Sequence, residues 1–188
     1  MSETTITRVD EIANSRDYFL IVNEHTGKCL TVEDFAQNDG AHIVQSLPTG
    51  SGNQQWLLLR NSDGYYEVVA KHSGKCLDDA KNSRAKGGVA HQWTRCNGWN
   101  QHWQLVMSVD GVCYFVSRIG KMNLDANLDG YRLHVWTPHQ GSTQKWRLKK
   151  QPTAVDELNS LLGLQSVKAI ISQLVNYEDR DGKESKWD

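Results

Sequence analysis

The stretch His72-Ser73-Gly74-Lys75-Cys76-Leu77, closed some way downstream by Gln101-His102-Trp103, occurs in related form three times along the chain. Its predecessor pairs His25-Thr26-Gly27-Lys28-Cys29-Leu30 with Gln54-Gln55-Trp56, and its successor pairs Ile119-Gly120-Lys121-Met122-Asn123-Leu124 with Gln144-Lys145-Trp146. The closing tryptophans are 47 and 43 residues apart, an even period with the landmarks in the same order each time. Self-similarity at such a period signals a repeat architecture in which no single unit can bury its apolar face alone.

Between the landmarks lie short apolar or alternating runs, Tyr18 to Val22, Tyr65 to Ala70 and Tyr114 to Ser117, bounded by Gly, Asn, Asp and Ser. This is the pattern of strands and hairpins. No long helical period interrupts residues 1–150, so three units of several short strands each predict a closed, pseudo-threefold β architecture.

With 188 residues the chain is long enough for one ordinary core and an appendage. Lys plus Arg number 21 against 22 Asp plus Glu, a net charge of −1. That balance argues against attraction to nucleic acid or to an anionic membrane. No stretch approaches the roughly 18 apolar residues of a membrane span, and the N-terminus lacks a signal-peptide pattern. The expectation is a cytoplasmic protein, with release from the cell left open. Four cysteines (Cys29, Cys76, Cys96, Cys113) without a C-x-x-C pair predict neither a disulfide framework nor a zinc site. No cofactor or metal is expected.

Three Gln-x-Trp motifs, each closing a unit of some forty residues with a Gly-Lys-Cys-Leu-like turn, resemble the ricin B or R-type lectin family over about residues 16–150. The resemblance implies an all-β β-trefoil, with Trp56, Trp103 and Trp146 as core residues about the pseudo-threefold axis. The expected organisation is an N-terminal extension over 1–15, a trefoil over 16–150 with repeats near 16–62, 63–109 and 110–150, and a helical tail over 151–188.

A neutral sugar offers paired hydroxyls and, in galactose-like rings, a face of C–H groups that can lie on an aromatic ring. A site therefore needs a carboxylate, an amide beside it and a flat aromatic. The second unit has all three. By resemblance, Asp78 and Asn100 bind hydroxyls, Trp93 stacks, His91 adds a polar contact and Gln101 holds the aspartate. In the third unit Asp125 follows Leu124 as Asp78 follows Leu77, His134-Val135-Trp136 repeats the His-x-Trp spacing of residues 91–93, and Gln144 opens the closing motif. Thr143 replaces the amide there, which predicts a weaker or differently selective site. In the first unit Thr31 stands at the aspartate position and Leu47 about where the ring belongs, with Gln45 two residues before it, while Asn53-Gln54 remains. Either that pocket has lapsed, the favoured reading, or Glu33 or Asp34 supplies a shifted carboxylate.

Taken singly, Asp78 and Asp125 read better as turn residues, and Trp93 and Trp136 can be read as buried indoles. The coincidence of Asp, then His-x-Trp, then Gln-x-Trp in two separate units favours function. His25 and His72 read as repeated structural hydrogen bonds, whereas His42, His102 and His139 show no partner pattern. Cys76 and Cys96 resemble the intra-unit disulfide of secreted family members, and in the cytosol they would remain thiols.

After Pro152 the pattern turns helical. Thr153-Ala154-Val155-Asp156 reads as a capping box before a short helix carrying Val155, Leu158, Leu161 and Leu162. Gly163 is expected to interrupt it and Ser166 to cap a second helix with Val167, Ile170, Ile171 and Leu174 on one face. Such a face needs covering, either by the trefoil or by a second chain in a homodimer. Leu158 to Val175 also resembles the leading segment of AAA ATPase modules, but no Gly-x-x-x-x-Gly-Lys-Ser/Thr follows and no ATPase is expected.

The reading is thus a non-enzymatic lectin for galactose- or N-acetylgalactosamine-type glycans, comparable by analogy with defence lectins. No nucleophile with its base and no catalytic carboxylate pair stands at credible spacing. The alternatives are a β-trefoil protease inhibitor or protein-interaction module, and an accessory sugar-binding domain of a larger protein.

Overall fold

The computed structural model describes residues 6, 8–13, 15–80, 85–128 and 130–181, with side chains described as far as 172. It separates into two compact units, Met1–Gln151 and Pro152–Asp188.

Among the described residues the first unit contains a short helix, α1 (Asp10–Ala13), and twelve strands. Six of them, β1 (Tyr18–Asn23), β4 (Gln55–Arg60), β5 (Tyr66–Ala70), β8 (Trp103–Met107), β9 (Cys113–Ser117) and β12 (Trp146–Lys150), form a closed ring. Around it β1 pairs with β4, β4 with β5, β5 with β8, β8 with β9, β9 with β12, and β12 again with β1, all antiparallel. Closure leaves the barrel no free sheet edge. The remaining strands form three hairpins, β2 (Cys29–Val32) with β3 (Ile43–Ser46), β6 (Cys76–Asp79) with β7 (Gly88–Trp93), and β10 (Asn123–Asp125) with β11 (His134–Trp136). Six barrel strands and three hairpins, one hairpin per repeat, make a β-trefoil.

The three motif tryptophans explain why the repeats converge. Trp56, Trp103 and Trp146 are fully buried, and each indole N–H donates to the carbonyl of the leucine that ends its own repeat's turn. The acceptors are Leu30 at 2.9 Å, Leu77 at 3.0 Å and Leu124 at 3.1 Å. A large apolar group thus fills the core while its polar edge is satisfied, which is the condition for burying tryptophan. Around them pack Phe19, Ile21, Leu58, Val68, Leu105, Phe115 and Leu148. Ile6 and Ile12 join the same cluster from ahead of β1, and the Ile6 N–H donates to the Leu148 carbonyl at 3.1 Å.

The turn before β2, β6 and β10 needs one residue in the left-handed region. Gly27 (φ +66°) and Gly74 (φ +68°) meet this demand, and Lys121 takes it in the third repeat with φ +54°. The Gly-Lys of the third turn is therefore offset by one position from the other two.

His25 and His72 do make structural contacts, each to the preceding repeat around the ring: His25 Nδ1 lies 2.9 Å from Ser142 Oγ and His72 Nε2 lies 2.9 Å from the Ala36 carbonyl oxygen.

The second unit is one helix, α2 (Ala154–Asp181). Its capping box is formed: Asp156 N–H donates to Thr153 Oγ1 at 3.1 Å and Thr153 N–H donates to Asp156 Oδ2 at 2.8 Å. The expected break at Gly163 is absent. A single helical glycine costs only about 1 kcal/mol, and a Cβ added there would meet nothing within 4 Å. Ser166 does not cap a second helix; its hydroxyl donates back to the Leu162 carbonyl at 3.0 Å. Continuity has a consequence for the apolar pattern. At about 100° per residue, Val155, Leu158 and Leu162 lie on one side of α2, whereas Leu164, Val167 and Ile171 lie on the opposite side. All six are exposed. No described helix is long and apolar enough to cross a membrane.

Candidate functional site

The hairpins carry the candidate residues, and strand register places them. In β6 and β7, Asp78 faces His91 and Cys76 faces Trp93. In β10 and β11, Asp125 faces His134 and Asn123 faces Trp136. Because side chains alternate across a strand, the His and the Trp two residues on share one face. Their rings stack, with centroids 5.4 Å apart for His91–Trp93 and 5.0 Å for His134–Trp136. Trp93 remains 42% exposed, as a platform for a ligand must.

Each aspartate is buried and held by the glutamine of its Gln-x-Trp motif. Gln101 Nε2 donates to Asp78 Oδ2 at 3.0 Å and to the Thr94 carbonyl at 3.0 Å, while Gln101 Oε1 accepts the Cys96 N–H at 2.9 Å. Gln144 repeats all three bonds, to Asp125 Oδ2 at 2.7 Å, to the Thr137 carbonyl at 3.0 Å and from the His139 N–H at 3.0 Å. Both glutamines are completely buried, so they position the carboxylates from beneath. In the second repeat Asn100 Nδ2 donates to both oxygens of Asp78 at 2.8 Å, and His91 Nε2 lies 3.0 Å from Oδ1. Asp78, His91, Trp93 and Asn100 thus line one cleft of 610 Å³.

That cleft has two further walls. His42, from the first repeat, bridges to His91 in antiparallel fashion and lines the cleft, as does Cys96. Nothing near His42 in the sequence marks it, because it enters the site only through the packing of one repeat against the next. Its counterpart at the third site is Val89, which faces His134.

At the third site Thr143 makes no hydrogen bond to Asp125 among the described residues. His139 does, with Nε2 3.0 Å from Asp125 Oδ2, whereas His134 Nε2 stands 3.9 Å from Oδ1. His139 lies five residues before its motif glutamine, as Cys96 does before Gln101, so counting back from the motif would have found it. Burial lowers the His134 imidazole below its ordinary value, against an opposing pull from Asp125. Lys86 Nζ sits 5.2 Å from the Trp136 ring centre.

The first repeat lacks the aspartate, the histidine and the indole, although Asn53 keeps the amide position and donates to the Val32 carbonyl at 2.9 Å. Thr31 faces Val44, and Cys29 faces Ser46, so Ser46 occupies the ring position and Leu47 lies one residue beyond it. The amide of Gln54 turns to the Thr31 hydroxyl at 3.3 Å, the same contact that Gln101 and Gln144 make to aspartate. Glu33 and Asp34 line the first repeat's own cleft, of 850 Å³, together with Thr31, Phe35, Asn53 and Tyr131.

All four cysteines are free thiols, with Cys29, Cys76 and Cys113 buried and Cys96 exposed. Burial pushes the Cys76 thiol up to about 12, the nearby Glu67 carboxylate adding to it. No cluster of three metal-ligating side chains occurs among the described residues.

The family described as ricin-type beta-trefoil lectin domain-like matches residues 8–85 and 52–136. Among solved structures, the designed threefold-symmetric protein ThreeFoil is 37% identical over 71% of this chain and 99% of its own, with a TM-score of 0.69. An exo-β-1,3-galactanase from Clostridium thermocellum is 33% identical over 74% of this chain, with a TM-score of 0.70. The match takes in only 31% of that enzyme's length. The ricin B-like lectin of Macrolepiota procera, solved in complex with lactose, shares the fold at 16% identity and a TM-score of 0.63, over 74% of this chain and 99% of that one. No curated protein sequence matches.

Proposed function

This chain belongs to the ricin-type beta-trefoil lectin family, and from that membership we propose that it binds galactose- or N-acetylgalactosamine-type glycans without catalysing a reaction on them. The observation that carries the reading is the twofold recurrence of one constellation. In the second and third repeats alike, an aspartate held by a buried glutamine faces a histidine that stacks on a tryptophan. The carboxylate can accept two sugar hydroxyls while the indole receives the apolar face of the ring. That chemistry suits a ring with adjacent hydroxyls on one side and a patch of C–H groups on the other. The lactose carried by the Macrolepiota procera lectin, whose terminal ring is galactose, supports the same class.

Shallow sites of this kind hold single sugars at about millimolar Kd, near −4 kcal/mol. Two sites per chain then raise avidity on a multivalent surface. Pairing of two chains through the exposed apolar residues of α2 would raise it again, and sedimentation before and after Leu162→Glu and Ile171→Glu tests that pairing.

A glycan array of the intact chain beside Asp78→Ala/Asp125→Ala tests the function. Binding to terminal galactose or N-acetylgalactosamine that the double variant loses is the expected result. A folded chain that binds no glycan overturns it. The partial match to the galactanase favours a second reading, in which the trefoil serves as the sugar-binding accessory of a larger protein. The transcript that encodes the chain decides that point.

A further inference from the structure

Asp78 and Asp125 occupy equivalent strand positions but are held by different chemistry. At Asp78 the group beside the motif glutamine is the Asn100 amide, donating to both carboxylate oxygens. At Asp125 that position is Thr143, too short to reach, and the donor comes instead from His139. The Gly141 N–H donates to His139 Nδ1 at 3.0 Å. Nδ1 is therefore an acceptor, so the ring proton of the neutral imidazole resides on Nε2 and points at Asp125 Oδ2.

A second observation concerns the glycine three residues before the motif glutamine in the second and third repeats. A Cβ on Gly141 would lie 2.8 Å from both His139 Nδ1 and His139 Cε1, and a Cβ on Gly98 would lie 2.5 Å from Asn100 Oδ1. Gly141 has no left-handed φ, so the conformational freedom of glycine does not explain it. What it provides is room. In both repeats the missing side chain clears space for the group that holds the aspartate: an amide in one, an imidazole in the other. The first repeat, with no aspartate to hold, has Ser51 there.

We propose that His139 is the positioning residue of the third sugar site, an imidazole standing in for the missing amide at Thr143 and fixing Asp125 for sugar. Gln144 and His139 both engage Oδ2, which leaves Oδ1, 3.9 Å from His134 Nε2, as the oxygen to accept a sugar hydroxyl. The third site is then a fully built site rather than a weakened copy of the second. This inference rests on the lectin reading, and its test has a part that does not.

The sugar-dependent part uses the Asp78→Ala chain, in which the third site alone can respond, titrated with lactose. Adding His139→Ala lowers its affinity about tenfold, the worth of one hydrogen bond to a charged group. Gly141→Ala, which displaces the ring, does the same. Adding Thr143→Asn to the His139→Ala chain restores affinity to within about threefold of the parent, because Asn then reaches the carboxylate as Asn100 does. A merely structural histidine would not be rescued from position 143. Unchanged affinity in His139→Ala, or no rescue by Thr143→Asn, overturns the proposal.

The sugar-independent part reads the His139 ring nitrogens by long-range proton–nitrogen NMR. A single Nε2–H tautomer is expected in the parent chain, its Nε2 proton exchanging with solvent faster in Asp125→Ala, where the acceptor is gone. A mixture or an Nδ1–H tautomer in the parent chain, or an Nε2 proton whose exchange Asp125→Ala leaves unchanged, overturns the proposal. If no lectin activity toward lactose is found at all, the galactose reading fails while this tautomer still decides the role of His139.

Discussion

The indole N–H of Trp103 donates to the carbonyl of Leu77 at 3.0 Å, tying the last motif of the second repeat to the turn that opens it. Leu77 is the residue before Asp78, so the bond that anchors the core also sets the strand on which the site is built. Trp103→Phe removes the donor, leaves a buried carbonyl without its partner and opens a cavity. The expected cost is about 2–4 kcal/mol. Urea unfolding of this variant, beside Trp56→Phe and Trp146→Phe, should give losses of similar size because all three indoles are fully buried and make the equivalent bond. A loss below about 1 kcal/mol at any of them would contradict the symmetric account.

Lys121 holds a left-handed backbone where the other repeats use glycine. Lys121→Gly should stabilise the chain by about 1 kcal/mol, less the small worth of its exposed contact with the Tyr65 hydroxyl at 3.1 Å. Lys121→Ala keeps the strain and loses that contact, so it should not stabilise. Thermal midpoints of the two variants separate the effects, and an equal change in both would refute the backbone explanation.

Burial lowers the His102 imidazole below its ordinary value, and the adjacent Arg118 guanidinium lowers it further. The ring is already engaged as a neutral group, with Nε2 3.0 Å from Asn97 Oδ1 and Nδ1 3.1 Å from Arg118 Nη1. His134 is lowered in the same direction. Below about pH 6.5 the unfolded chain therefore takes up protons that the folded chain refuses, and stability falls as pH falls through that value. The urea midpoint should drop between pH 7.5 and pH 5.5. His102→Gln, which copies Gln55 at the equivalent place in the first repeat, should flatten part of that slope; an unaltered slope would assign the pH dependence elsewhere.

Trp93 is stacked on His91 and still open to solvent. Trp93→Ala in the Asp125→Ala chain should weaken sugar binding at the second site by roughly tenfold, whereas Trp93→Phe should retain most of it, since the flat apolar face survives. Equal losses for Phe and Ala would show that the ring's N–H, rather than its face, makes the contact.

The legible part of the molecule was the part that repeats. Gln-x-Trp at an even period named the core tryptophans, because a buried indole with a satisfied N–H is the same problem solved three times. Asp followed by His-x-Trp marked the second and third hairpins, because strand alternation converts a two-residue spacing into one face. The absence of an aspartate at position 31 of the first repeat was visible in Thr31, although counting along the chain put the ring position at Leu47 and only the pairing of Cys29 with Ser46 corrected it. In the tail the capping box was readable and the break at Gly163 was not, since a lone glycine in a helix costs too little to end it.

What sequence alone determined about this protein is therefore its threefold repetition, its core tryptophans, and the two repeats able to carry a carboxylate beside an indole. These follow from local spacing, which the chain states directly. What only tertiary structure decided is which side chains from elsewhere complete those sites. His42 reaches the second site from a neighbouring repeat, and His139 reaches Asp125 across a loop that Gly141 leaves clear. The physical reason differs between the two: packing of the first repeat against the second, and not spacing along the chain, brings His42 to His91, whereas His139 belongs to the same repeat as Asp125 and meets it only when its loop folds back over the hairpin.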